Sequence, residues 1–266
     1  MQGYRPPKKR KRYKRRGVAY VFLSLVFIVA AVLLSLSLFF KINRIEVTGS
    51  AVYSDSAIIS ASGVSEGDNL FTLDKGAILR NIFDTFPYVA EVRLMRRLPG
   101  TLIISITERA PLGLIKQDSA CWLIDGTGRL LEQVSSRSIT GKPLIQGITL
   151  LAPDAGAEAA VPMEQRDRLK ALLALLDGLE RYELLPVVSA ADISQAHELR
   201  LTYSTGRFQV LLGDVSNLDI KLPFLLAAIE ELPDSASGTL DVSRAALRKK
   251  ASYIPAPTTW SSETMS

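Results

Sequence analysis

The chain has 266 residues, with 32 lysines and arginines, 27 acidic residues, one histidine and one cysteine. Nine of the basic residues lie within the first sixteen positions, so the rest of the chain carries 23 basic against 27 acidic residues, a net charge of −4 that argues against a nucleic-acid partner. The single cysteine, Cys121, excludes an intramolecular disulfide. A hydrophobic core must therefore hold the folded part together, and we expect Cys121 to be buried in it.

The first forty residues combine a basic tail, 1–16, with an uncharged and largely apolar run, 17–40. About 20 apolar residues span a bilayer, and flanking basic residues stay on the cytoplasmic side. The pattern predicts a single transmembrane helix over 17–40, with the N-terminus in the cytoplasm and the C-terminus outside. A cleaved secretory signal is the alternative, although its apolar run is shorter, roughly 7–15 residues. We interpret the tail as a topology signal with affinity for anionic lipid.

The segment 41–110 predicts one strand, two short helices and two further strands, in that order. Apolar and polar residues alternate over 43–48, 90–97 and 102–106, as in half-buried strands. Capping and turn residues separate the elements, namely Ser54 or Asp55, Gly63, Asp74, Pro87 and Pro99-Gly100. The last two strands are predicted to form an antiparallel hairpin.

The segment 111–253 predicts a β-rich domain with two amphipathic helices, so that the fold class is α+β. Strands are predicted over 111–116, 120–125, 129–132, 187–193, 198–203, 207–212 and 239–243. Leucines at helical spacing indicate one helix from 169 to a stop at Pro186, and a second that ends at Pro233. Pro223 is expected in the first turn of the second helix, because an interior proline costs about 3 kcal/mol. The tail, 254–266, is rich in Pro, Ser and Thr, which predicts disorder.

The sequence offers no catalytic, cofactor-binding or metal-binding constellation. His197 is the only histidine and has no Cys or second His at ligand spacing. The Gly-x-Gly at 126–128 lacks the third glycine and the following helix of a phosphate loop, and a hairpin turn accounts for it. We therefore expect a protein without enzymatic activity.

Several short stretches of 42–109 form a characteristic set. They are Ile45-Glu46-Val47-Thr48-Gly49, Gly63, Gly67-Asp68-Asn69-Leu70-Phe71, Pro87-Tyr88-Val89, 96–102 and 106–111. Together they resemble the POTRA domain of the bacterial FtsQ/DivIB cell division proteins. Further stretches resemble the β domain of the same family, at Leu123-Ile124-Asp125, Gly128-Arg129-Leu130, Leu211-Leu212-Gly213, Lys221-Leu222 and 240–243.

The resemblance implies a non-enzymatic scaffold of the division complex, located in the plasma membrane at the septum. Its expected partners are small coiled-coil subunits of the FtsB/DivIC type and the FtsL type. The mode of contact it implies is strand addition at the last strand of the β domain. The predicted partner-binding residues are Leu240, Asp241, Val242 and Ser243, with Tyr253 as an aromatic anchor beyond them.

Three alternatives stay open at this point. The strand over 239–243 is an edge in the partner-binding hypothesis, but it can also be internal with both neighbours in place. The chain can also be a POTRA-bearing export or assembly factor, or a membrane-tethered cell-wall enzyme.

Overall fold

The computed structural model describes residues 15–117, 120–135 and 141–256. The described chain divides into two compact units. The first contains the residues up to Asn81 together with Glu91–Ile106, and the second contains Ile82–Ala90 together with the residues from Thr107 onward. Most of the predicted basic tail and of the predicted disordered tail, 1–14 and 257–266, lies outside the described residues.

The first unit begins with helix α1, Arg15–Phe39. Apolar side chains of α1 such as Phe22 and Phe27 are exposed. Within the ranges that the structure describes, no helix is found to be long and apolar enough to cross a membrane.

The next elements confirm the predicted order of strand, two helices and two strands. They are β1 (Arg44–Thr48), α2 (Asp55–Ser62), α3 (Lys75–Thr85), β2 (Val89–Arg97) and β3 (Thr101–Glu108). β3 lies between β1 and β2 in a three-stranded sheet and pairs in parallel with β1. Ile58, Leu70 and Ile104 are fully buried in the core of this unit.

Local signals in the sequence set the ends of the two short helices. The Ser54 hydroxyl accepts a hydrogen bond from the Ala57 N–H at 3.3 Å, and Gly63 ends α2 in the left-handed region with φ 71°. The Asp74 carboxylate accepts one from the Ala77 N–H at 3.0 Å. Both predicted caps are therefore confirmed.

Within the described residues, the second unit contains a nine-stranded sheet and three α-helices. Its strands are β4 (Gly113–Gln117), β5 (Ala120–Ile124), β6 (Leu130–Val134), β7 (Leu144–Gln146), β8 (Val188–Asp192), β9 (Leu199–Tyr203), β10 (Phe208–Gly213), β11 (Gly238–Asp241) and β12 (Ser252–Pro255). Their order across the sheet is β12-β11-β10-β9-β8-β7-β4-β5-β6. The helices are α4 (Arg166–Arg181), α5 (Leu218–Glu230) and α6 (Ala245–Arg248).

Two apolar clusters stabilise this sheet. The larger one packs leucines of α4 and α5, such as Leu176 and Leu222, against Phe208 and its neighbours on the strands. The smaller one contains Leu114 and Cys121, which alternate with core residues along their strands and so face the other side of the sheet. The predicted burial of Cys121 is confirmed.

Some predicted details are wrong for identifiable reasons. α5 begins at Leu218, so Pro223 lies in its second turn and not its first, and the helix forgoes one backbone hydrogen bond there. α4 ends at Arg181, before Pro186, because Glu183 adopts a left-handed conformation with φ 56°. β7 was not predicted, and β12 extends to Pro255, inside the segment that was expected to be disordered.

Candidate functional site

The candidate site is the edge of the nine-stranded sheet at β12. This strand pairs antiparallel with β11, with Leu240 opposite Tyr253 and Asp241 opposite Ser252. Among the residues that the structure describes, no strand pairs with the other side of β12. Its outer backbone groups are therefore available to an additional strand.

Backbone hydrogen bonds identify which residues of β12 face outward. The Ala256 N–H donates to the Ser237 carbonyl oxygen at 2.9 Å, and Thr239 lies opposite Ile254. Bonded and non-bonded pairs alternate along an antiparallel ladder, so Ile254 bonds to β11 whereas the N–H and C=O of Tyr253 point away from it. Tyr253 thus presents one donor and one acceptor at the edge.

The prediction that 240–243 supply the exposed edge is wrong. β11 is an internal strand between β10 and β12, because the chain folds back after α6 and β12 takes the outer position. Leu240 and Val242 are fully buried, and Asp241 accepts hydrogen bonds from the backbone N–H and the hydroxyl of Ser243 at 2.9 and 2.6 Å. The strand that contains Leu240 and Asp241 pairs with the edge strand β12. Contact between these residues and a partner stays a prediction.

Tyr253 lies on the edge strand, but its side chain packs within the chain. Its ring centre is 6.4 Å from that of Phe208 at an interplanar angle of 79°, and its hydroxyl donates to the Ser237 carbonyl oxygen at 2.9 Å. The ring therefore fastens β12 to the sheet while the backbone faces outward. We assign Tyr253 a positioning role, and its predicted role as an aromatic anchor for a partner remains untested.

The surroundings of β12 are apolar at one point and basic at another. Ile254 is 59% exposed, and Leu247 on α6 is 86% exposed. The segment 242–250 has no acidic residue, and it exposes the basic side chains of Arg244, Arg248, Lys249 and Lys250. The chain that leads into β12 is therefore basic and exposed.

An Asp-x-Ser turn recurs at the ends of β8, β10 and β11, and the sequence analysis did not identify it. In each turn the aspartate accepts hydrogen bonds from the backbone N–H and the hydroxyl of the serine, at Asp192/Ser194, Asp214/Ser216 and Asp241/Ser243. Such turns end strands because the side chain satisfies backbone groups locally. The turn at Asp241 coincides with the last residue of β11.

The buried charge of Lys221 is paired within the chain. Lys221 is buried, and its Nζ donates to the Asp214 carbonyl and carboxylate oxygens, both at 2.8 Å. The hydrogen bond from Lys221, followed by that from the Ser216 hydroxyl, lowers the pKa of Asp214 to about 2. The pair fixes the loop between β10 and α5.

Asp125 organises the turn that leads into β6. Burial alone would raise the pKa of Asp125, but hydrogen bonds from the Arg129 backbone, the Arg109 guanidinium and Thr127 outweigh burial and lower it. The Arg109–Asp125 ion pair measures 2.7 Å and is largely buried. The Gly-x-Gly at 126–128 lies in this hairpin turn, as the sequence predicted.

The chemical side chains elsewhere do not converge on a site in the described part of the chain. His197 is exposed in the loop between β8 and β9. No group of three or more His, Cys, Asp or Glu side chains within the described ranges is placed to hold a metal ion.

Comparison with known families assigns most of the chain to two family models. Residues 40–109 match the model described as "POTRA domain, FtsQ-type". Residues 113–249, about half of the chain, match the model described as "Cell division protein FtsQ/DivIB, C-terminal".

Individual relatives agree with these matches. The chain is similar to cell division protein DivIB of Clostridium tetani, with 27% identity over 210 residues that cover 77% of each chain. It is also similar to cell division protein FtsQ of Corynebacterium glutamicum, with 26% identity over 196 residues, 74% of this chain and 75% of the relative. DivIB of Clostridium botulinum is 27% identical over 240 residues, which cover 89% of this chain and 90% of the relative.

Proposed function

Because the chain belongs to the FtsQ/DivIB family of cell division proteins, we propose that it is a non-enzymatic scaffold that links subunits of the division complex at the septum. The observation that carries this proposal is the outer side of β12, which has no strand partner among the described residues. Native proteins usually cover or charge the edges of their sheets, because an open edge promotes aggregation. An edge that stays open therefore favours a role in pairing with another protein. A partner that adds a strand would convert it into an interface.

The proposed topology is a single-pass membrane protein with its C-terminus outside. It is supported by the basic residues of 1–16, the absence of charge over 17–40, and the helical conformation of Arg15–Phe39. Two extracytoplasmic modules follow, a POTRA-like module over 41–110 and a β domain over 111–253. Protease added to spheroplasts should digest both modules and spare the tail, and a protected C-terminal domain would contradict this topology.

The proposed partners are small coiled-coil subunits of the FtsB/DivIC and FtsL types, of which one adds a strand to β12. The outward N–H and C=O of Tyr253 supply main-chain hydrogen bonds to the added strand. The exposed Ile254 gives an apolar contact on one face. The basic residues of 244–250 favour a partner segment that carries acidic side chains next to its strand.

Depletion and imaging in growing cells test the proposal directly. Depletion of the protein should produce filamentous cells without septa, and a fluorescent fusion should concentrate at the division site. Re-expression of the intact chain should restore septation. A fusion that stays evenly distributed around the membrane during division would contradict the proposal.

A further inference from the structure

An aromatic and cationic cluster lies immediately after α1. The rings of Phe40 and Phe71 meet edge to face with their centres 5.0 Å apart. The guanidinium of Arg96 lies 5.4 Å from the centre of the Phe71 ring. We refer to Phe40, Phe71 and Arg96 as the collar, because they contact one another where the chain leaves α1.

Backbone hydrogen bonds hold the loop that carries Phe71 against the end of α1. The Leu70 N–H donates to the Phe40 carbonyl oxygen at 2.9 Å, and the Gly67 N–H donates to the Ile42 carbonyl oxygen at 2.8 Å. Two segments bonded in this way lie about 5 Å apart. Phe71 is therefore fixed within about one strand spacing of the chain that emerges from α1.

The collar is not explained by the core of the first unit. Leu70 is fully buried there, but its neighbour Phe71 is 47% exposed. Phe39, the last residue of α1, is 72% exposed, and Lys41 and Arg96 are exposed beside these rings. Exposed apolar area costs about 25 cal/mol for each Å² in water, so such a cluster favours a covering surface.

We propose that the collar docks into the headgroup region of the bilayer, with a lipid surface as its occupant. This proposal rests on the proposed function, in which α1 is the membrane anchor. The interfacial zone of a bilayer is about 5–7 Å deep on each side of the hydrocarbon core, which matches the distance between Phe71 and the end of α1. Apolar side chains such as Phe insert at the boundary between headgroups and acyl chains in segments that lie at the interface, and cationic side chains beside them reach the phosphates.

Docking of the collar gives the first unit a fixed orientation at the membrane. If a flexible linker follows the helix, the next module can rotate relative to the membrane. A second contact with the membrane, made by the loop that carries Phe71, removes this freedom because that loop is hydrogen-bonded to the end of α1. The collar thus sets the direction in which β1 points relative to the membrane surface. Val52 follows the far end of β1, a strand that extends about 16 Å, and serves as a control position away from the lipid.

Depth-dependent quenching of a fluorescent label tests this docking in the full chain. Phe71→Cys, Val52→Cys and Val26→Cys are each labelled with an environment-sensitive fluorophore and reconstituted in phosphatidylethanolamine–phosphatidylglycerol vesicles. Cys121 is fully buried, so the parent chain serves as the unlabelled control. Nitroxides are placed on the lipid headgroup, high on the acyl chain, or deep in the acyl chain.

We expect headgroup and shallow nitroxides to quench the label at 71 several times more than the label at 52, although Val52 is as exposed as Phe71 in the protein, at 53%. Deep nitroxides should quench the label at 26, which reports on the anchor. If the label at 26 is quenched but that at 71 behaves like that at 52, the collar proposal is overturned and the anchor stands. If the labels at 26 and 71 both escape quenching, both proposals fail.

Two further outcomes distinguish contact with lipid from membrane anchoring and from contact with a protein. Quenching at 71 without quenching at 26 would support lipid contact by the collar while it removes the spanning anchor. A label at 71 that is shielded only after a coiled-coil partner is added would overturn the proposal, because the covering surface would then be protein. As an independent check, Arg96→Glu should reduce quenching at 71 in anionic vesicles, whereas Arg93→Glu on the same strand should leave it unchanged.

Discussion

The two ends of the nine-stranded sheet are finished in different ways. At β6 the chain covers the start of its own edge, since the Gly156 N–H donates to the Leu130 carbonyl oxygen at 2.7 Å and the Leu130 N–H donates to the Ala157 carbonyl oxygen at 2.9 Å. The backbones of Arg129 and Glu158 form an isolated antiparallel β-bridge beside these bonds. At β12 no strand in the described part of the chain provides such cover.

The two edges therefore differ in how their backbone groups are used. A loop across the start of β6 occupies the groups that another strand would use, whereas β12 keeps them available. The side chain of Tyr253 packs within the chain, and no strand among the described residues pairs with the outer side of β12. Changes at the β6 end should therefore affect stability, and changes at the β12 end should affect partner capture.

The largest effect is expected from breaking the turn that leads into β6. Asp125→Ala leaves Arg109 without its carboxylate, and loss of one partner of a buried pair costs about 3–5 kcal/mol. We expect Asp125→Ala to lower the free energy of unfolding by about 3 kcal/mol, at the low end of this range, because Arg109 keeps some access to solvent. Urea unfolding of the full chain measures this change, with Asp234→Ala at an exposed position as the matched control. An equal effect in both variants would contradict the assignment.

The next effect tests the backbone of β12. Tyr253→Pro removes the ring and the outward N–H, whereas Tyr253→Ala removes the ring alone. We expect the proline variant to capture a coiled-coil partner at least about tenfold more weakly than the alanine variant, because proline cannot donate to an added strand. Pull-down with a partner of the FtsB/DivIC type measures the difference. Equal capture by the two variants would show that this N–H does not bond to the partner.

A smaller effect compares one tyrosine hydroxyl at each end. Tyr253→Phe removes the bond to Ser237 beside β12, and Tyr88→Phe removes the 2.7 Å bond to Glu132 on β6. Each change should cost about 1 kcal/mol or less, as for a partly exposed hydrogen bond. Only Tyr253→Phe should speed amide hydrogen exchange in β12 and weaken partner capture. If Tyr88→Phe weakens capture equally, the two edges are not distinct in function.

The smallest effect concerns acid, because the Asp214 carboxylate is half exposed and Lys221 keeps its hydrogen bond to the Asp214 carbonyl oxygen when that carboxylate is changed. The pKa of Asp214 is lowered to about 2 in the folded chain, so its contribution to stability is present above its ordinary pKa and is lost as the pH falls towards 2. Asp214→Asn should therefore reduce the melting temperature at pH 6 and flatten its decline between pH 4 and pH 2. Thermal unfolding across this range checks the prediction, and parallel curves for the two proteins would contradict it.

Elements whose signals are local could be predicted from the sequence alone. Ser54 and Asp74 cap helices because a short polar side chain reaches the free N–H groups of the next turn, and Gly63 ends α2 because glycine accepts a positive φ. Alternation along β2 and β3 follows from the strand geometry alone. These features need no knowledge of distant parts of the chain, and the family resemblance likewise depends on short stretches of sequence.

The identity of the edge strand, by contrast, depends on tertiary structure. Leu240 and Val242 alternate as they would in either an edge or an internal strand, and the choice depends on β12 folding back from beyond α6. A strand's position in a sheet is set by its neighbours, which its own residues do not encode. Pro255 was the one local hint, since proline in strands is confined largely to edges. The proposed partner-binding edge could not be located from the sequence, because it depends on pairing that uses both sides of β11 and, among the described residues, only one side of β12.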